Sequence, residues 1–346
     1  MSVSIVLPFA SKAGTSNKPE VELGLVAIFD PLTKFLKPRV LGPIIDKITI
    51  TYDIKNKTAQ DAIVELYAAS LQAGAQYKEA GYKTKASSAY AINAILTEPA
   101  SGEAILIQVG RKKSKKTAIV PPKKKLSFMR LEFNPDKLKV KGLNYLKEEL
   151  SKHFLGQYSF KDIAATGRVT RIDLAADLLY VRSDQLIYSS AKGGKSISYF
   201  GVSGTLESSY LEKKSSSAKV AIYNKRQEQK DIGGDPFFGS VNHTRIERHV
   251  STTLVLINLH NLSNPFKDLT IVSPLKTVTP PEEYHHWLMF LDSCRFRGVE
   301  KALALLPSED LKVKYKETLK SADEGIWNPV TIWKNWPKRL SSSGLL

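Results

Sequence analysis

RVTRIDLAADLLYV, residues 168–181, decides how this chain is read. Side chains alternate across a β-strand, so a period of two sends Ile172 and Leu174 to one face and Arg171, Asp173 and Asp177 to the other. Two later stretches repeat the pattern. In VAIYNKRQE, residues 220–228, Val220 and Ile222 oppose Lys219, Tyr223 and Lys225; in TRIERHV, residues 244–250, Ile246 and Val250 oppose Arg245, Glu247 and His249. On any one strand the polar side could be a solvated row of ion pairs with a packing tyrosine. Its recurrence on three strands favours one shared ionic face, and Tyr223 is expected to share a concave, cation-rich pocket with Asp173 and Glu247.

Working outward, KITITYDI (47–54), EAILIQV (103–109), KLSFMRLEF (125–133), SISYFG (196–201) and AKVAIYNK (218–225) read as further strands. AQDAIVELYAASLQAG (59–74), GLNYLKEELSKHF (142–154) and SDQLIYSSA (183–191) have helical spacing, and Gly193, Gly194, Gly201 and Gly204 mark turns. Strands this close in sequence favour antiparallel pairing. The predicted fold is α+β: a curved, mainly antiparallel central sheet built from two strand-helix-strand halves, flanking helices and a helical C-terminal region. The predicted domains are an irregular, proline-punctuated N-terminal arm (1–45), an N-terminal α+β half with a basic hairpin (46–160), a catalytic α+β half (161–275) and a helical C-terminal region ending in a loose tail (276–346).

The 346 residues carry 51 Lys and Arg against 34 Asp and Glu, a net charge of +17, with 42% hydrophobic content. Such a chain can bury a core, and its charge suits a polyanionic partner. The run RKKSKKTAIVPPKKK concentrates Arg111, Lys112, Lys113, Lys115, Lys116, Lys123, Lys124 and Lys125 without an acid. That run is either a solvated hairpin tip or a phosphate contact, and the global charge favours the second. A single cysteine, Cys294, excludes an intramolecular disulfide framework, and no apolar run approaches the roughly 18 residues of a membrane span. A soluble cytoplasmic protein, without membrane partners, is the expectation.

The polar face also suggests a chemistry. A phenol with a pKa near 10 attacks a phosphodiester only when a cation, base or metal favours the phenolate, and Lys225 lies two residues from Tyr223. Asp173 and Glu247 are hard oxygen donors suited to Mg2+ or Mn2+. His249 ligates, shuttles a proton or is simply hydrogen-bonded. Asp177 and Glu228 are secondary acids; Arg171 and Arg245 are phosphate clamps or partners that hold the carboxylates in place.

TRIDLAAD, VAIYNKRQE and TRIERHV, in this order and spacing, resemble the motifs of rolling-circle replication initiators of filamentous phages and of plasmid initiators of the Rep_trans type, including relaxases of some conjugative elements. The similarity covers about residues 168–306, with LMFLDSCRFRGVEKALALL resembling the initiators' C-terminal region. It implies a metal-dependent endonuclease that nicks and rejoins one strand of single-stranded or supercoiled origin DNA through a 5′-phosphotyrosine on Tyr223. The freed 3′-hydroxyl would be handed to host polymerase and helicase. Asp173 and Glu247 would be the metal carboxylates. The His-hydrophobic-His pair of the other large initiator class is absent. One tyrosine in the motif implies a homodimer or a further tyrosine, such as Tyr199 or Tyr210, to finish a round. The alternative is a non-catalytic basic DNA-binding protein, in which the charged strands are ion pairs.

Overall fold

The computed structural model describes residues 38–54, 82–84, 90, 92–110, 128–153, 160–191, 195–202, 204–212, 219–274, 284–323 and 325–346. The predicted helix 59–74, the turn glycines 193 and 194, all eight cations of the basic run and residues 1–37 of the predicted arm lie outside them.

Among the described residues, ten strands form one sheet. They are β1 (Arg39–Asp53), β2 (Tyr82–Thr84), β3 (Ile92–Thr97), β4 (Ala104–Gly110), β5 (Phe128–Phe133), β6 (Arg168–Leu179), β8 (Lys195–Phe200), β9 (Leu206–Glu212), β10 (Lys219–Asn224) and β11 (His243–Ser251). Their order is β2-β3-β4-β5-β1-β6-β11-β10-β9-β8, and every pairing is antiparallel. The expected α+β class with a large antiparallel sheet and a helical C-terminus is the one observed.

The order contains a repetition. In each half the first strand, β1 or β6, lies at the centre, the chain crosses to the far edge, and four strands return one by one to pair with it. The two halves meet where β1 pairs with β6.

One sheet face is apolar. Ile48 faces Ile172, and Ile246 stands between Ile222 and Ala176, all fully or almost fully buried. This side belongs to one core with Leu143, Leu146 and Leu150 of α1 (Pro135–His153), Ile163 of α2 (Phe160–Thr166), and Ile332, Trp336 and Leu340 of α7 (Pro329–Lys334) and α8 (Trp336–Ser342). Gly167 delivers the chain from α2 into β6. A Cβ there would lie 2.4 Å from the Ile163 carbonyl oxygen, so only glycine fits this entry to the decisive strand.

Several sequence expectations need correction. The expected strand 47–54 is the second part of a longer one, β1, which starts at Arg39: register shifts at Leu41/Ile44, Ile45/Lys47 and Thr49/Ile50 erase the alternation that would have revealed its first residues. Residues 183–191 are not a helix but a 3-10 turn, Ser183–Gln185, followed by β7 (Ile187–Ser190), which pairs with β12 (Leu269–Val272) in a separate two-stranded sheet. The Ser/Gly stretch near residue 344, expected to be loose, is held in place: Leu345 is fully buried and the Gly344 carbonyl accepts from Lys147 Nζ at 2.8 Å. Trp336 is buried, donates its indole N–H to the Leu259 carbonyl at 3.1 Å and stacks on Trp333 with ring centres 4.8 Å apart. A second apolar cluster joins α4 (Tyr284–Arg297), α5 (Val299–Ala304) and α6 (Glu309–Ala322) through Trp287, Phe290, Cys294, Leu303 and Tyr315. No helix among the described residues is long and apolar enough to cross a membrane.

Candidate active site

The sheet's other face carries the ionisable residues. Pairing sets Arg245 opposite both Asp177 of β6 and Tyr223 of β10, and His249 opposite Asp173. Glu247 lies between Ala175 and Ala221, and these two small neighbours leave its carboxylate room above the sheet. Tyr223 Oη donates to Glu247 Oε2 at 3.2 Å.

Behind this pair is a clamp. Asp177 is 3% exposed and accepts from Arg245 Nε at 2.7 Å and Nη2 at 2.9 Å, while His243 Nε2 lies 3.1 Å from its Oδ2. The remaining Arg245 nitrogen, Nη1, donates to Asp46 Oδ1 at 2.8 Å. Burial alone would raise the Asp177 pKa, but hydrogen bonds from Arg245 and His243 outweigh it and hold the carboxyl at about 2. All three Arg245 nitrogens are thus engaged by two carboxylates, as expected for a partner that holds the acids in place.

A second group is looser. Asp173 is 1% exposed and accepts from Arg171 Nε (2.8 Å) and Nη2 (2.7 Å), with His249 Nδ1 at 2.9 Å; His249 Nε2 stands 3.8 Å from Glu247 Oε1. Burial pushes the Asp173 carboxyl up, but the His249 and Arg171 hydrogen bonds prevail and leave it below its ordinary value. Glu247 is raised, first by burial and then by Asp46. Burial and the Glu247 charge push the Tyr223 phenol well above its usual range, so unaided it stays protonated at neutral pH.

Asp173, Glu247 and His249 each offer a ligand atom, and those atoms lie within 4.8 Å of one another. Two carboxylates and an imidazole, presented by the neighbouring strands β6 and β11, are a donor set that suits a divalent cation. Arg171 competes for this group: its half-exposed side chain holds both Asp173 oxygens and sets Nη2 2.7 Å from His249 Nδ1.

The ring of Tyr223 opens on a cleft of about 430 Å³ lined by Glu207, Ser208, Tyr210, Ala221, Asn224, Gln227, Glu228, Asp231, Ile232, Glu247 and His249. The expected cation-rich pocket is therefore acidic. Arg171 and Arg245 are turned onto carboxylates, and Lys225 Nζ pairs with Glu228 Oε2 at 2.7 Å. Nor does Lys225 share Tyr223's strand: Asn224 ends β10 and caps α3 (Lys225–Asp231) by accepting from Gln227 N. Lys225 still reaches Tyr223, with its ammonium 5.6 Å from the ring centre. Glu228 is the lysine's partner at the cleft rim.

Sequence reasoning missed Asp46, hidden in the β1 bulge between Ile45 and Lys47, and gave no role to His243. It also missed a counterpart site in the other half. Arg130 and Glu132 of β5 repeat the Arg-x-Glu of Arg245 and Glu247, and Gln108 faces Arg130 in β4 as Tyr223 faces Arg245 in β10. There a hydrogen-bonded network runs from Asn93 through Gln108 and Arg130 to Glu132 and Thr49, with glutamine at the position that faces the arginine.

The chain is 26% identical over 219 residues to a replication initiation protein of Staphylococcus aureus, covering 60% of this chain and 64% of that relative. Another replication initiation protein of that species is 30% identical over 146 residues, covering 42% and 41%. The chain thus spans less than two thirds of the length of these curated relatives. A solved rolling-circle replication initiator from Geobacillus stearothermophilus covers 76% of this chain and 98% of its own at a TM-score of 0.34 and 11% identity. No protein-family model matches. The resemblance to replication initiators read from the motifs is borne out by the staphylococcal relatives.

Proposed function

We propose that this chain initiates rolling-circle replication by nicking and rejoining one DNA strand at an origin, with Tyr223 as nucleophile. The observation that carries the reading is the 3.2 Å hydrogen bond from the Tyr223 phenol to Glu247 within the Asp173, Glu247 and His249 cluster. A tyrosine kept only for packing would not direct its hydroxyl at a largely covered acid beside an aspartate and a histidine.

In this reading Tyr223 Oη attacks phosphorus, its proton leaves to Glu247 Oε2, and the P–O3′ bond breaks. The products are a 5′-phosphotyrosyl link and a 3′-oxygen that takes a proton from water; the reverse step rejoins the strand. A divalent cation on Asp173, Glu247 and His249 would polarise the phosphate and offset the negative field that keeps the phenol protonated. Arg245, fixed by Asp177 and Asp46, holds the tyrosine strand in register. Lys225 sets a positive charge against the phenol ring. The link keeps the phosphodiester energy, so rejoining needs no nucleotide cofactor.

Labelled single-stranded origin DNA incubated with Mn2+ should yield a DNA-linked protein band under denaturing conditions, and Tyr223→Phe should abolish it while still binding DNA. A Tyr223→Phe protein that nicks like the wild type would overturn the proposal in favour of another nucleophile. Salt-sensitive binding with no covalent product from either protein would leave the non-catalytic DNA-binding alternative.

A further inference from the structure

Beyond the reacting groups the cleft reaches β9, and the same sheet face continues from there onto the edge strand β8. Tyr223 of β10 faces Ser208 of β9, which faces Tyr199 of β8; one position along, Ala221 faces Tyr210, which faces Ile197. All these residues lie on Tyr223's side of the sheet. Ser208 and Ala221 are small, so between the tyrosines the floor of the cleft is low.

Tyr210 lines the cleft, and Tyr199 meets it edge-on, with ring centres 5.7 Å apart and planes at 90°. Tyr199 is 55% exposed and Ile197 45%. A perpendicular pair packed for its own sake would bury its rings; this one leaves ring surface open to solvent beside the nucleophile. Strands lie about 4.8 Å apart, so Tyr199 stands about 10 Å across the sheet from Tyr223. That is the reach of a nucleotide neighbouring the one attacked.

The charge of the cleft decides which part of a nucleotide belongs there. Glu207, Glu228 and Asp231 repel phosphate but accept hydrogen bonds from the amino groups of base edges. An acidic cleft with an exposed aromatic step suits a base, not a backbone, and stacking tolerates any base because each has a π-face.

Resting on the nicking reading, we propose that Tyr199 and Tyr210 form a stacking platform for an unpaired base flanking the scissile phosphate. The site therefore takes its substrate as an unstacked single strand.

The test compares binding of the full chain to a labelled oligodeoxycytidylate of about thirty nucleotides, whose bases carry amino groups, and to an abasic backbone of equal length, at about 150 mM salt. The wild type should prefer the base-bearing strand. Tyr199→Ala should shrink that preference by about five-fold or more, within the range of one lost stacking contact. Tyr199→Phe should keep it, because the ring and not the hydroxyl is at work. An unchanged preference in Tyr199→Ala, no preference in the wild type, or a loss in Tyr199→Phe equal to that in alanine would each overturn the platform. Tyr199 is exposed, so a melting temperature matching the wild type shows that the alanine variant is folded. The covalent assay on Tyr223 separates the two ideas: an adduct with an unaltered base preference sinks the platform alone, and a collapsed preference without an adduct sinks the nicking chemistry alone.

Discussion

Replacing Asp177 by alanine removes the carboxylate that holds Arg245 beneath the tyrosine strand. Breaking one side of a buried, hydrogen-bonded ion pair costs about 3–5 kcal/mol, because the remaining charge stays out of water. Arg245 keeps Asp46 through Nη1, which places the loss at the lower end, about 3 kcal/mol. With an unfolding entropy of about 2.1 cal/mol/K per residue over about 300 residues, that lowers Tm by about 5 °C. Acid supplies an independent check. The Asp177 pKa falls from an ordinary 3.8 to about 2. A carboxyl with a depressed pKa stabilises the fold above its unfolded value and ceases to as pH falls through its folded value. The stabilisation, about 2 kcal/mol at 1.36 kcal/mol per pH unit, is complete above about pH 4 and disappears towards pH 2. Calorimetric melting between pH 7 and pH 2.5 should show the wild type losing its advantage over Asp177→Ala across that window. In the double variant with Arg245→Met, the loss should be smaller than the sum of the two single losses. A Tm change under about 1 °C at pH 7, or parallel acid profiles, would refute the clamp.

Other variants separate the two groups of charges. Arg171→Ala should tighten Mn2+ binding, measured by titration calorimetry without DNA, by about five-fold, because a half-exposed cation no longer competes for Asp173; weaker binding would place Arg171 among the groups that build the metal site. Gln108→Ala in the counterpart network should lower stability by about 1–3 kcal/mol while nicking proceeds at the wild-type rate. Loss of nicking without loss of stability would give that half a catalytic role.

Much of the fold was legible because β10, β11 and the Arg171–Asp177 stretch of β6 alternate between aliphatic and ionisable residues and sit side by side. That is also why Asp173, Tyr223, Glu247 and His249 could be placed on one face. Where alternation fails, so did the reading. The bulges of β1 hid Asp46 and the strand's first residues. Asn224 turns strand into helix within one residue, a change that a period of two carries straight past, and Lys225 was misplaced as a result. LESSYLE of β9 pairs Ser208 and Ser209 with β8 and β10, but its serines resemble turn chemistry in sequence. The acidity of the cleft was not legible either, since net charge does not tell which cations turn inward onto carboxylates.

The most direct test of the account is to digest the covalent product formed on single-stranded origin DNA with Mn2+ and to locate the DNA-linked residue by mass spectrometry. The account predicts a nucleotide on the phenol oxygen of Tyr223, joined through a 5′-phosphate. A linkage on any other residue, or a 3′-phosphate joined to the protein, would contradict it.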